Sequence, residues 1–208
     1  MRSRLLLPAL LAATLLGACS VVGGEAAPEP RYTTVQSVEP FEVRDYPALH
    51  VVRTTMADGS RDGFGRLFDY ISGANTQSDK IAMTAPVLQT EGEKIAMTAP
   101  VLQTTGSETR DMIFVLPDPL TAETAPVPTD PTVSLDTIPP RRVAVITFSG
   151  RLEDEAVAEK RAELEAWMAA QGLTPIGPAE SAGYNPPWTI PALRRNEVLI
   201  PIDPATGG

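Results

Sequence analysis

Among the side chains that most readily do chemistry, this sequence holds one histidine and one cysteine. His50 alternates with Val52, Thr54 and Met56, which places it on one face of a strand. Any Ser–His or Cys–His catalysis would have to pass through that single imidazole. With Cys19 alone, no internal disulfide can form. Cys/His zinc sites and thiolate-bound iron–sulfur clusters lack ligands. Asp154, Glu155 and Glu159 read as the solvated start of a helix. No G-x-S-x-G elbow, Walker A loop or G-x-G-x-x-G fingerprint occurs. Enzymatic catalysis has little to stand on here, and we expect no enzyme.

The environment of those residues is acidic. Formal charge is −9, and removing a leader that holds Arg2 and Arg4 takes it to −11. Nucleic-acid binding depends on Lys and Arg neutralising phosphates, so the balance argues against it. The 208 residues suffice for one domain with a substantial core. Twenty-one prolines and fifteen glycines imply many turns and short elements.

Cys19 gains meaning from what precedes it. Met1-Arg-Ser-Arg4 is a basic start, and residues 5–16 form an apolar run too short to span a bilayer comfortably. The run closes on Leu16-Gly-Ala-Cys19, which resembles the lipobox of bacterial lipoproteins. The expectation is a signal peptide over 1–18 and a lipidated tether over 19–31. A folded domain over 32–203 and a disordered tail over 204–208 would follow. The protein would be exported and held by lipid on the periplasmic side of a bacterial membrane, the outer one by preference.

The elements that must position His50 alternate strand and break. Residues 32–38, 41–46 and 50–56 read as strands. A helix follows, with Phe64, Leu67, Phe68 and Ile71 at i, i+3, i+4 and i+7 and Gly73 at its end. Residues 112–116 form an apolar strand, and five prolines mark 117–131 as a loop. Strands at 132–137 and 142–149, a helix over 153–171 stopped by Gly172, and strands at 180–184 and 197–202 complete the chain. Residues 41–71 and 132–168 share one order: strand, proline break, strand, turn, helix. That suggests two pseudo-equivalent halves sharing one sheet system, an α+β arrangement.

Residues 80–90 and 94–104 are the same eleven residues, Lys-Ile-Ala-Met-Thr-Ala-Pro-Val-Leu-Gln-Thr, separated by Glu91-Gly-Glu93. They read as two strands and a tight hairpin loop. The period of 14 is even, so side chains keep their face. One copy reads as a tolerated tandem insertion.

Four stretches together resemble the SOUL family of haem-binding proteins: Lys80-Ile-Ala-Met-Thr-Ala-Pro-Val87, Phe41-Glu-Val-Arg-Asp-Tyr-Pro47, Phe64-Gly-Arg-Leu-Phe-Asp-Tyr-Ile-Ser-Gly73, and Ala182-Gly-Tyr-Asn-Pro-Pro187 with Arg195-Asn-Glu-Val198 behind it. The resemblance implies a distorted antiparallel β-barrel with two helices packed outside, and a non-covalent haem or related tetrapyrrole as ligand. A porphyrin needs an apolar face plus cations for two propionates. The resemblance points to Arg66, Leu67, Tyr70 and Lys80 for those contacts. Met83 and its copy Met97 are soft side chains that could line or ligate the ring. Where family members place a proposed axial histidine, this chain has Asp45. Either His50 serves as the iron ligand or haem is held without histidine ligation.

Three readings follow. The first is a lipid-anchored tetrapyrrole carrier, buffer or sequestering protein that binds mainly by hydrophobic and propionate contacts. The second is a cell-envelope interaction module of the same fold with no tetrapyrrole. The third is an enzyme acting on a small hydrophobic ligand. Protein partners are not legible in the sequence.

Overall fold

Strand residues rich in Val, Ile and Thr fold here into one large antiparallel sheet with two helices. The computed structural model describes residues 27–56, 62–76, 92–104, 110–186 and 188–206. In chain order the elements are β1 (Thr33–Val38), β2 (Phe41–Tyr46), β3 (Leu49–Met56), α1 (Asp62–Ile71), β4 (Asn75–Thr76), β5 (Val101–Thr104), β6 (Arg110–Val115) and β7 (Val127–Pro128). Then come β8 (Val133–Ile138), β9 (Arg141–Phe148), α2 (Asp154–Gln171), β10 (Glu180–Gly183) and β11 (Asn196–Ile202). Nine strands pair in the order β1-β2-β9-β11-β10-β5-β6-β3-β8, and β4 pairs with β7 apart from them.

Without the edge strand β1, that order is a palindrome. Exchanging β2 with β8, β3 with β9, β5 with β10 and β6 with β11 reproduces the remaining eight strands read backwards, with the centre between β10 and β5. The spacing agrees: Val133, Arg141 and Asp154 each follow their counterparts Phe41, Leu49 and Asp62 by 92 residues. The two halves read from the sequence are therefore one motif used twice in a shared sheet.

The ladder ends at β1 and at β8, so the sheet is open where we expected a barrel. Barrel closure requires its two edges to exchange hydrogen bonds. These two do not pair. Side chains still join the ends: Tyr46, Val143 and Val145 from one side and Leu49, Val51 and Ile138 from the other pack into a single cluster with Leu102 and Leu199. On the opposite face each helix covers its own core, Leu67 and Tyr70 under α1 and Val157, Leu164 and Met168 under α2.

The helices end and dock as their residues dictate. Gly172 closes α2 in the left-handed conformation (φ 70°) and donates to Met168 and Ala169. Gly63 lets α1 approach the sheet, because a Cβ there would stand 2.8 Å from Met56 Cγ. The expected α1 stripe holds only in part. Leu67 and Ile71 are buried, whereas Phe64 and Phe68 are exposed and Tyr70 faces inward. Tyr70 can be buried because its hydroxyl donates to Pro126 O at 2.9 Å.

The repeat also departs from expectation. Its first copy lies outside the described residues, and the second is strand only from Val101 on. β5 pairs with β10 on one side and β6 on the other, which leaves no edge for a hairpin partner. Residues 94–100 are instead pinned by Ile95 N to Ile71 O, Ala99 N to Pro28 O and the Thr98 hydroxyl to Val115 O.

Candidate functional site

At one end of β3 the chain forms a cleft of about 360 Å³. Its floor comes from the strand ends, Leu49, His50, Val115 and Leu116. Pro47, Ala48, Thr98, Pro117, Asp118 and Leu120 line it as well, together with residues 28–31. The prolines follow from the sequence breaks: they end strands and wall the opening with apolar rings that offer no N–H. Residues 28–31, expected to be tether, pack onto the body here. Pro28 O accepts from Ala99 N at 3.0 Å, and Glu29 pairs with Arg195 at 2.6 Å. At the other terminus Pro204 and Thr206 likewise bond to Arg142 and Thr174.

His50 is half-buried at this cleft, and its environment sets its tautomer. Ala122 N–H donates to Nδ1 at 3.3 Å, and the Thr137 hydroxyl lies 3.1 Å from the same nitrogen. An accepting Nδ1 places the proton of the neutral ring on Nε2. That nitrogen then has no lone pair for a metal. Arg31 is the cleft's cation, and among the described residues it makes no ion pair.

The other sequence candidates are placed as follows. Leu67 and Tyr70 are core residues with no surface to offer a ligand, and burial pushes the Tyr70 phenol up to about 12. Arg66 is half-exposed, with a terminal guanidinium nitrogen donating to Thr55 O at 2.9 Å. Around it the outward face of α1 carries Phe64 and Phe68, ring centroids 5.9 Å apart, with Phe64 edge-on to Phe114. Met97 is exposed. Lys80, Met83 and Cys19 lie outside the described residues. The structure thus brings none of the α1 candidates to the His50 cleft. No group of three or more His, Cys, Asp or Glu side chains suited to a metal ion occurs among the described residues.

A second feature was missed in the sequence. On the inner face, beneath the cleft, Arg44 of β2 reaches over β9 to β11 and makes paired bonds to Glu197 at 2.9 and 3.1 Å. Both are buried. Arg44 also bonds to Glu42 at 2.6 Å and to Tyr46 at 3.3 Å. The Tyr184 hydroxyl donates to Glu197 at 2.5 Å, and the Arg195 guanidinium lies 3.5 Å over the Tyr184 ring. Beside them Arg141 and Glu180 pair at 2.6 and 2.7 Å. Burial, then the charge of Glu197, raises the Tyr184 pKa, so it stays a donor. Burial alone would lower the pKa of Arg44, but Glu197 reverses that. Arg44 spends every guanidinium nitrogen on protein, while Nε of Arg141 and of Arg195 is buried without a hydrogen-bond partner among the described residues; the network is a clamp across β2, β9 and β11. The signal was available: Arg44, Tyr46, Tyr184, Arg195 and Glu197 all belong to the stretches that carry the family resemblance.

The fold and cleft define an α+β protein built from a doubled strand–helix unit. It is similar in fold to the EcmrR C-terminal domain (TM-score 0.53, 11% identity, 83% of this chain and 98% of that one). It is similar also to a hydrolase from Listeria innocua (TM-score 0.54, 14% identity, 81% and 94%). An uncharacterized conserved protein from Listeria innocua matches comparably (TM-score 0.52, 14% identity, 78% and 92%). At such identities the likeness is one of fold. No curated protein matches the chain significantly. The family profile described as SOUL heme-binding protein matches residues 27–201, and the chain belongs to that family. Haem or tetrapyrrole binding is its function at family level, and the family is one of binding proteins.

Proposed function

We propose that this protein binds haem or a related tetrapyrrole without covalent attachment, at the His50 cleft, as a carrier, buffer or sequestering protein. The cleft carries the reading: apolar walls with one imidazole and one guanidinium, beside the carboxylates of Asp118 and of Glu29, the latter paired with Arg195. Pockets for drug-sized ligands span roughly 300–1,000 Å³. At about 360 Å³ this one lies at the lower end, so a macrocycle would keep one edge in solvent. The donor set fits such a ligand. Pro30, Pro47, Leu49 and Leu120 supply apolar contact, and Arg31 supplies a cation for a propionate. Haem, when bound, brings a Lewis-acidic, redox-active iron. His50 in the tautomer that the Ala122 N–H bond favours does not offer Nε2 to it, and doing so would cost that bond. Packing and propionate pairing therefore dominate, with iron ligation weak or absent.

We further propose that the protein is exported and held by lipid on Cys19 at the periplasmic side of a bacterial outer membrane. The lipobox-like Leu16-Gly-Ala-Cys19 supports this. Intact mass of the membrane-extracted protein tests it, since an unmodified cysteine would refute it.

Haemin titration of the full chain, followed at the Soret band, tests the ligand. Saturable binding is expected. Arg31→Ala should weaken it roughly tenfold or more, because a charge-assisted hydrogen bond is worth about 1.5–3 kcal/mol. His50→Ala should leave the band in place. Arg66→Ala reports on the α1 face and should change little. If His50→Ala abolishes binding and shifts the band, axial ligation replaces this account. If nothing saturates, the cell-envelope interaction module takes its place.

A further inference from the structure

Between β10 and β11 the chain holds three large apolar side chains in water. Trp188 is 83% exposed, Ile190 62% and Leu193 56%. The loop is braced in that posture. Thr189 N bonds to Pro186 O, Leu193 N to Ile190 O, Arg194 N to Pro191 O, and Gly150 N reaches across to Pro191 O at 2.9 Å. Arg194 Nε adds a bond to Thr189 O at 2.8 Å. A short turn over Pro191–Leu193 results, with its apolar side chains outward. Contiguous exposed apolar side chains mark an interaction surface.

What that surface meets follows from where the chain enters. Arg195, directly after the loop, is tied to Glu29 at 2.6 Å, so the N-terminal segment joins the body beside Trp188 and its neighbours. The described chain begins at Ala27, eight residues after Cys19, a span of at most about 29 Å. We propose that residues 188–194 dock on the lipid bilayer, with the Trp188 indole at the headgroup level and Ile190 and Leu193 below it. Tryptophan favours that layer because one end of its ring system is apolar and the other carries an N–H. The inference rests on the lipid-anchor reading. It adds orientation: Glu29 also lines the cleft, so docking holds the cleft's rim at the lipid surface, from which an apolar ligand can enter.

The test uses the full chain in phosphatidylcholine vesicles with brominated acyl chains, which quench nearby indoles. Trp188→Phe is the control. The other tryptophan, Trp167, stacks on Phe41 at 4.9 Å against the opposite face of the sheet. We expect a blue shift and loss of most Trp188 emission on brominated lipid, both absent in Trp188→Phe. Emission that stays unquenched while the protein floats with the vesicles overturns docking and leaves the anchor standing. A chain that does not float with the vesicles refutes the anchor and docking together. An indole already shielded from iodide without vesicles means that another part of the chain, or a second copy, covers the loop, and docking is then wrong.

Discussion

Two cross-strand pairs join the two halves at equivalent places and serve different ends. Asp45 of β2 faces Arg142 of β9, and His50 of β3 faces Thr137 of β8. Adding 92 to Asp45 gives Thr137, and adding it to His50 gives Arg142. One pair is closed on itself, with Arg142 donating twice to Asp45 at 2.7 and 2.9 Å. The other is a single contact at 3.1 Å, and it leaves its ring at the cleft. The helices differ in the same sense. α2 covers its outer side with ion pairs, Lys160–Glu163 and Arg161–Glu165, while α1 exposes Phe64 and Phe68. One of the two junctions between the halves is closed on itself and the other is left open, and of the two helices only α1 presents apolar rings outward. Fold and site can therefore be separated by residue even though one motif built both.

The largest effect should come from the clamp. Arg44→Ala leaves the buried Glu197 with only the longer Arg195 contact, 3.7 Å, as a cation, and losing one partner of a buried pair costs about 3–5 kcal/mol. The position equivalent to Arg44 is Asp136, whose pair with Arg53 at 3.1 Å is far more exposed. Asp136→Ala should cost within about 1 kcal/mol. Urea denaturation of both variants checks the contrast, and equal losses would break it.

Next in size is the repeat. Elements up to the helices differ by 92 residues between halves, but Val101 precedes Glu180 by only 79. The shortfall of 13 nearly matches the 14-residue period, so the first half is longer by about one copy. Deleting residues 80–93 equalises the halves and puts Asp79 where Glu93 now precedes a lysine. Asn75 holds only backbone atoms of Glu93, at 2.8 and 3.0 Å, so Asp79 can substitute. We expect one cooperative thermal transition, shifted less than by Arg44→Ala. A chain that no longer folds would show that both copies are required.

The strands, both helices, the Gly172 stop and the doubling were legible because alternation, 3.6-residue periodicity and breaks act locally. What was not legible depends on partners. Periodicity grouped Phe68 with Leu67 but could not say which flank of α1 would face the sheet; Pro126 O, a buried acceptor for Tyr70, decided that. Nothing local marks Arg44 and Glu197 for burial, because a lone charge belongs in water. Only the pairing across β9 makes their burial tolerable. The repeat read as a hairpin because nothing local revealed that β10 and β6 fill both edges of β5. Residues 28–31 read as tether from their composition, yet Ala99 and Arg195 hold them. His50 was found because it was the only candidate of its kind.

The smallest prediction concerns the closed pair alone. Hydrogen bonds from Arg142 hold the Asp45 carboxyl below its ordinary value of 3.8; burial opposes this weakly, and the charge of Arg142 adds to it. A carboxylate whose pKa is lower folded than unfolded contributes stability that is complete above the unfolded value. That contribution is lost as pH falls through the folded one. The Asp45 side chain is 44% exposed, so solvent screens the pair and its worth is at most about 1 kcal/mol. Asp45→Asn should therefore lower stability slightly at pH 7. The gap between variant and parent should begin to narrow as pH drops below about 3.8 and close as pH falls through the lower folded-state value, where the native carboxylate becomes protonated. The open pair provides the control: Thr137→Ala removes a neutral contact, so it should produce no pH-dependent gap in that acid range. Parallel urea midpoints for the parent and both variants between neutral and acid pH decide the matter. A gap for Asp45→Asn that persists unchanged into acid would mean that the pair acts through packing and not through charge.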